Sequence, residues 1–495
     1  MSPPVYSVHI SFRRASRLLV GDILTLSSDP YVIATLTFPD SEPEAAKLHH
    51  RTPTIRRTLE PEWDDHWSIA NVPASGIQLN LKVMDEDPAK HDDCLGVAHI
   101  ETGPLSADFE REEAPNLKLR MGGDPWVLLT RLISSGCTKA TWKAVAGHVD
   151  VFLKIERHPE SYTPPLERPY TRGPNWHTQH FSPLIGMITN TAAPSGAQHF
   201  RFTASKLQLT GPLPKALKIQ YVSFRPIIKV FYTKSGLRGR LLNRALKRQY
   251  RTIYSYDRAT EYGISSPDSL AKTFLDLTGW ELGGRLYTYI VTVDAEWRFT
   301  ETGSEFGIQM LSKHTMHSCV SIHVGFAGEF FVRAKHPDRG KPRPGHVDDY
   351  ELVIDNDSGT YRPPKEKIPD FSEFLEKNLK GMSVVVKDAF EDGHQEEKKA
   401  VVGEKEKVGG RRRFKQPSSR GSSEERRGSI SSSDEEELRD GKIGLKRKIK
   451  KKIWEEMQKE GSFEMKRVEA LAENGANGAN GVAGPSREKG HDHAV

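Results

Sequence analysis

The chain has 495 residues, of which 36% are apolar and 28% charged, with a formal net charge of +6 and a mean hydropathy of −0.58. That length exceeds a single hydrophobic core and predicts two domains with linkers, while the polarity predicts a sizeable unstructured fraction. No apolar run reaches the roughly 18 residues of a membrane-spanning helix, the N-terminal stretch has no apolar signal segment, and Cys94, Cys137 and Cys319 are too scattered for a disulfide framework. A reducing, cytoplasmic setting is expected, with membrane contact at most peripheral.

Residues 1–158 read as short strands separated by turn signals, at Tyr6–Phe12, Tyr31–Phe38, Thr54–Thr58, His66–Ala70, Ile77–Met84 and His148–Glu156. Ile77, Leu79, Leu81 and Val83 alternate with Gln78, Asn80 and Lys82, the period of a half-buried strand. Many strands with little helix predict an antiparallel β-sandwich. Prolines crowd residues 159–173, which suits a linker. Residues 174–392 predict an α+β or mixed α/β domain. Strands are expected at Leu286–Phe299, Val320–Val324 and Glu329–Arg333, the last two joined at Gly325–Gly328, with a helix from Ser266 through Leu277. Tyr350–Ile354, Phe371–Leu379 and Ser383–Val386 compose a βαβ-like unit. From 393 to 495 the composition turns to Glu, Lys, Arg, Ser and Gly, which predicts a disordered tail with one conditional helix over 437–472.

The chemistry concentrates in acidic loops. Asp85 and Asp87 leave one strand with a spacing of two, so both depart on the same face, and Asp93 returns from the far side of the loop before Gly96. Asp29 stands directly before the strand beginning Pro30-Tyr31-Val32, with Asp22 upstream, and Arg56-Arg57-Thr58-Leu59-Glu60-Pro61-Glu62-Trp63 supplies a turn and an aromatic residue between strands. Clustered carboxylates are what a hard cation such as calcium requires.

These segments, in this order, resemble the C2 domains of synaptotagmins and protein kinase C, whose pattern runs Asp-Pro-Tyr-Val, then Thr-Leu-Asn-Pro-x-Trp, then Asp-x-Asp ending in Asp-x-x-Gly. The resemblance covers about 150 residues. It implies an eight-stranded antiparallel sandwich that holds calcium between two loops. Asp29, Asp85, Asp87 and Asp93 fall on the family's ligand positions. The fifth ligand departs from the pattern, because its usual position is Ile23 here, and Asp22 serves only if the loop is one residue longer. One strand before the first loop and a long strand at the end fit the circularly permuted, type II topology. Such a domain implies anionic phospholipid membranes as partner; Ile23, Leu24 and Leu26 in the first loop are candidates to insert among headgroups, and Lys47, Arg51, Arg56 and Arg57, on and before the strand preceding Trp63, form a basic strand face that is a candidate for a second, phosphoinositide-type contact.

Elsewhere the signals are weaker. Lys234–Arg251 is a basic stretch with apolar residues at helical spacing, which reads first as a surface helix and second as a lipid contact. His177 and His180, and His314 and His317, are spaced for metal or acid–base chemistry but lack completing ligands. The stretches around Phe299–Gly303, Ser312–His317 and Val353–Thr360 resemble an extension behind C2 domains in fungal proteins, which implies no activity. Enzyme signatures such as a Gly-x-Ser-x-Gly elbow or a phosphate-binding loop are missing. The rival reading is a lipid-modifying enzyme delivered by its C2 domain, with His314, His317 and Asp355 gathered in one cleft. In the tail, Ser429 matches basophilic and Ser431, Ser432 and Ser433 acidophilic kinase substrates, so kinases and protein partners are expected there. Lys446–Lys452 suits an anionic leaflet or a nuclear localisation signal, with nucleic acid the least favoured partner.

Overall fold

The computed structural model describes residues 5–21, 26–39, 47–86, 92–105, 111–113, 116–120, 147–158, 168–181, 203–214, 217, 219–220, 243–244, 247, 250, 253–254, 260–279, 285–301, 314, 317–319, 323–336, 338, 342–358 and 362–408. The N-terminal strands are β1 (Val5–Ser16), β2 (Pro30–Thr37), β3 (Leu48–Arg51), β4 (Glu62–Pro73), β5 (Gln78–Asp85), β6 (Asp93–Glu101), β7 (Arg111–Glu113), β8 (Asn116–Lys118) and β9 (His148–Arg157). They form two antiparallel sheets. One runs β4–β1–β9–β7, with β8 also on β9, and the other runs β3–β2–β5–β6. Alternation dictates the packing. Tyr6, Val8, Ile10 and Phe12 of β1 and Leu79, Leu81 and Val83 of β5 all turn inward and share one core with Trp67 and Val151. Each such side chain contributes about 1.5–3 kcal/mol through burial.

One strand moves relative to the sequence reading. Thr54–Thr58 is irregular, and the strand in this region is Leu48–Arg51 instead. Pro53 interrupts the ladder, and the backbone beyond it turns to the first acidic loop: Ile55 N–H donates to Pro30 O at 3.1 Å and Thr58 N–H to Ser28 O at 2.9 Å. Arg57 adopts a left-handed φ of 55° there. At the end of the proline-rich stretch, Tyr170–Gly173 forms β10, which extends the first sheet by pairing with β4.

The remaining strands are β11 (Asn175–Phe181), β12 (Thr203–Gln208), β13 (Ile219–Gln220), β14 (Thr260–Ser265), β15 (Tyr287–Thr292), β16 (Glu296–Glu301), β17 (His323–Ala334), β18 (Tyr350–Asp355) and β19 (Ser383–Lys387), with helices α1 (Leu270–Thr278), α2 (Ile368–Asn378) and α3 (His394–Val408). The sheet order is β14–β11–β12–β16–β15–β17–β18–β19, with β13 on β17. Only the pairing of β18 with β19, across α2, is parallel among these. Both α1 and α2 cover the same face. Phe274 of α1 stacks on Trp297 at 4.7 Å, and Phe371 of α2 stacks on Phe326 at 3.9 Å.

Three details differ from the sequence reading. Leu286–Phe299 is a hairpin rather than one strand, because Ala295 takes a left-handed φ of 62° at its turn. Gly325 and Gly328 lie inside the continuous β17. They serve close packing, since a Cβ at Gly325 would meet Leu213 Cδ2 at 1.8 Å and one at Gly328 would meet the Asp355 carbonyl oxygen at 1.8 Å. Helix α1 starts at Leu270, four residues after Ser266, whose hydroxyl bonds the Ser269 hydroxyl at 2.9 Å in a turn. Ordered structure also runs past 392, since α3 occupies 394–408. Residues 409–495, including 437–472, lie outside the described residues.

Candidate functional site

Strand register gathers the acidic residues at one end of the sandwich. Pro30 is paired with Asp85, and Asp85 with Asp93, so Asp29, Asp85 and Asp93 all emerge where loops replace strands. They are nonetheless buried, at 5%, 1% and 8% exposure. The Asp29 N–H donates to Asp85 Oδ1 at 2.5 Å, tying the first loop to the end of β5. Gly21 closes this loop from above. Its N–H donates to Ser28 Oγ at 2.8 Å, and a Cβ placed on it would lie 1.6 Å from Asp85 Oδ2. Gly21→Ala is therefore expected to displace the Asp85 carboxylate and cost about 1–3 kcal/mol of stability, measured as a lower midpoint in chemical unfolding.

The segment that leaves β3 wraps the site with cations. Arg56 donates to Asp29 Oδ2 at 2.9 Å and to Glu86 Oε1 at 2.5 Å, and the Arg57 N–H donates to Asp29 Oδ1 at 2.8 Å. Thr54 Oγ1 donates to Glu86 Oε2 at 2.6 Å, and Arg51 approaches the same carboxylate at 3.6 Å. Burial would lower the Arg56 guanidinium, but the charges and bonds of Glu86 and Asp29 raise it above its ordinary value. Arg51 also lies over the Tyr31 ring at 3.6 Å, while Tyr31 donates to Asp92 Oδ2 at 2.5 Å.

Of the residues read from sequence as site members, Asp29, Asp85 and Asp93 are thus brought together, and Leu26 projects with 65% exposure from the first loop. Asp22, Ile23, Leu24 and Asp87, together with Ser429, Ser431, Ser432 and Ser433, lie outside the described residues. Arg56 stands in the loop, not on a basic strand face, with its guanidinium on the acids, while Arg57 gives them only its backbone N–H and its side chain is exposed. Glu86, Thr54 and Asp92 went unread. Glu86 sits in the same acidic run, but its inward orientation follows only from the fold. The donor chemistry suits a hard cation: buried carboxylate oxygens with no soft ligand among them. Among the described residues, the trio whose ligand atoms all lie within 4.8 Å is a different one, Glu329, Asp355 and Asp357. Asp29 instead turns its carboxylate onto Arg56.

That second trio is already compensated. Lys398 of α3 donates to Glu329 at 2.9 Å, Asp355 at 3.0 Å and Asp357 at 2.8 Å. His394 Nε2 lies 2.7 Å from Asp355 Oδ2, and the Glu329 and Asp357 N–H groups donate to Asp355 Oδ1 at 2.8 and 2.9 Å. The histidines read from sequence have different bonding partners. His314 Nε2 is 2.7 Å from the Gly328 carbonyl oxygen, and His317 Nδ1 is 2.6 Å from the Tyr254 hydroxyl. Burial, aided by the nearby His314 and Arg298, holds His317 well below the usual imidazole range and hence neutral. His177 and His180 are paired with Ser265 and Thr260, and His177 is lowered by burial. The basic stretch 234–251 is described only at residues 243, 244, 247 and 250.

Comparison with known proteins meets this geometry at the sandwich. The C2 domain family model matches residues 6–117. Synaptotagmin-3 of Arabidopsis thaliana is 37% identical over 110 residues, covering 22% of this chain and 19% of that protein. Rabphilin-1 of Caenorhabditis elegans is 37% identical over 109 residues, covering 21% and 9%. A solved C2 domain of plant extended synaptotagmin 1 aligns with a TM-score of 0.23 and 19% identity, over 32% of this chain and 98% of its own. The chain thus spans less than a fifth of the length of the curated relatives it matches. Residues 6–117 of this chain form a C2 domain.

Proposed function

We propose that this chain is a peripheral membrane protein whose C2 domain binds anionic phospholipid through calcium. The observation that carries this reading is the convergence of buried Asp29, Asp85 and Asp93 at one end of the sandwich, beside a loop that exposes Leu26. Asp85, fixed by the Asp29 N–H, would hold calcium together with Asp29 and Asp93, with Asp22 and Asp87 completing the set. Calcium supplies the positive charge and open coordination positions that lipid phosphate and carboxylate oxygens require. The carboxylates otherwise repel an anionic surface, so the sign of the local field is what the ion changes. Burying Leu26 in the headgroup region would add about 1.5–2 kcal/mol, with Ile23 and Leu24 as neighbours and Arg57 as a flanking cation. The first acidic loop joins β1 to β2 and the last joins β5 to β6, an order that supports the circularly permuted form of the fold.

The remainder of the chain fits an adaptor or targeting role in the cytoplasm. Phosphates on Ser429, Ser431, Ser432 and Ser433 would oppose the attraction of Lys446–Lys452 for an anionic leaflet. Sedimentation of the full chain with phosphatidylserine-containing vesicles tests the central claim. Pelleting is expected in calcium and not in chelator, and Asp85→Asn is expected to weaken the calcium-dependent part about tenfold or more. Equal pelleting of the unaltered chain in both conditions overturns the calcium dependence.

A further inference from the structure

Arg56 stands where a metal ion would need Asp29. Its guanidinium bridges two carboxylates of different character. Glu86 has a side chain with no exposure, so that bond is sealed within the domain, whereas Asp29 belongs to the acidic loop end and its partner Arg56 retains 25% exposure. Glu86 has two further supports, Thr54 at 2.6 Å and Arg51 at 3.6 Å. Asp29 keeps the Arg57 N–H on its other oxygen and gives its own N–H to Asp85. Arg56 is therefore anchored on the Glu86 side and removable on the Asp29 side, and Asp29 keeps its position without it.

We propose that Arg56 is a built-in competitor for the cation site, a tethered positive charge that calcium must push off Asp29 in order to bind. The proposal rests on the calcium reading above and adds to it the residue that sets the ion's affinity. A guanidinium and a divalent ion drawn to one carboxylate repel each other, and Glu86 keeps the guanidinium close after displacement. The site then binds calcium more weakly than its carboxylates alone would. Raising the threshold for calcium is a regulatory property that an acidic loop without this arginine lacks.

Calorimetric titration of the full chain with calcium, in the absence of lipid, tests it. Arg56→Gln is expected to tighten calcium binding on the order of tenfold, the size of a unit charge acting on a divalent ion a few ångströms away in partly aqueous surroundings. The opposite sign distinguishes a positioning role: if Arg56 served to orient Asp29, its loss would weaken binding. Arg56→Lys retains the charge and the fold but bonds one carboxylate at a time, so its affinity is expected between those of the unaltered chain and Arg56→Gln, and it carries the test should the glutamine variant unfold. Tighter binding by either variant, or binding where the unaltered chain shows none, supports the proposal. Calcium binding by the unaltered chain with equal or weaker binding by both variants overturns the competitor alone, and no calcium uptake by any of the three overturns the calcium reading with it.

Discussion

Replacing Lys398 with methionine is expected to destabilise the sheet-rich domain by about 3–5 kcal/mol, the usual cost of removing one partner from a buried ionic cluster. Methionine matches the length of the lysine stem but leaves Glu329, Asp355 and Asp357 facing one another. Asp355, at 1% exposure, keeps His394 and two backbone N–H groups, while Asp357 keeps Arg362 at 3.0 Å, which places the loss toward the lower end. Hydrogen exchange reads the effect where it should appear, as lost protection in β17, β18 and α3. Unchanged protection there would show that α3 is held by something other than its lysine.

The same cluster has a pH signature. Burial would raise the Asp355 carboxyl, but His394, Lys398 and the Glu329 and Asp357 N–H groups hold it below its ordinary value. Asp357 is likewise raised by burial and brought down to about 2, chiefly by Lys398. Carboxyls with depressed values contribute stability that is whole above their unfolded pKa of about 4 and lost as the pH falls through the folded value. Lys398 runs the other way. Burial lowers it, but Asp355, Glu329 and Asp357 raise it, so its contribution is whole below about 10.4 and fades only at higher pH. The unaltered domain is thus expected to lose stability between about pH 4 and about pH 2, and Lys398→Met to flatten that slope.

The acidic loops were legible in sequence because their placement is local: Asp29 precedes a strand, Asp85 ends one and Asp93 starts the next, so register alone unites them. Arg56 was legible as a cation but not as the partner of Asp29 and Glu86. Its position depends on how the chain crosses the loop after Pro53, which no period or spacing encodes. The sheet-rich domain was harder for the same reason. Gly325 and Gly328 carry a turn signal, yet they permit close approach to Leu213 and Asp355, residues distant in the chain. Helix α3 was hidden because its anchors, His394 and Lys398, are polar, and its composition matches that of the tail that follows.

The C2 sandwich should prove most sensitive at Trp67, where Trp67→Ala is expected to cost about 3–5 kcal/mol. Trp67 has no exposure and belongs to β4 of one sheet, yet a ring stacked on it comes from the other sheet. His50 of β3 stacks 5.4 Å from Trp67 and 5.7 Å from Phe12 of β1. His50 Nε2 also lies 2.7 Å from Asp65 Oδ2, itself on β4. Trp67 Nε1–H donates to Thr171 Oγ1 at 3.2 Å, holding β10 against the sheet. Truncation therefore opens a cavity between the sheets and strips His50 of one stacking face, while Trp67→Phe fills most of the volume and loses chiefly the bond to Thr171, worth about 1 kcal/mol. Chemical unfolding followed by exchange in β1, β4 and β9 separates the two variants. Since Asp29, Asp85 and Asp93 lie at the ends of strands in the sandwich that this column braces, Trp67→Ala should also abolish the proposed calcium-dependent vesicle binding near physiological temperature, and Trp67→Phe should retain it. Equal losses for both variants would place the strength of the sandwich in the indole bond to Thr171 and not in the aromatic column.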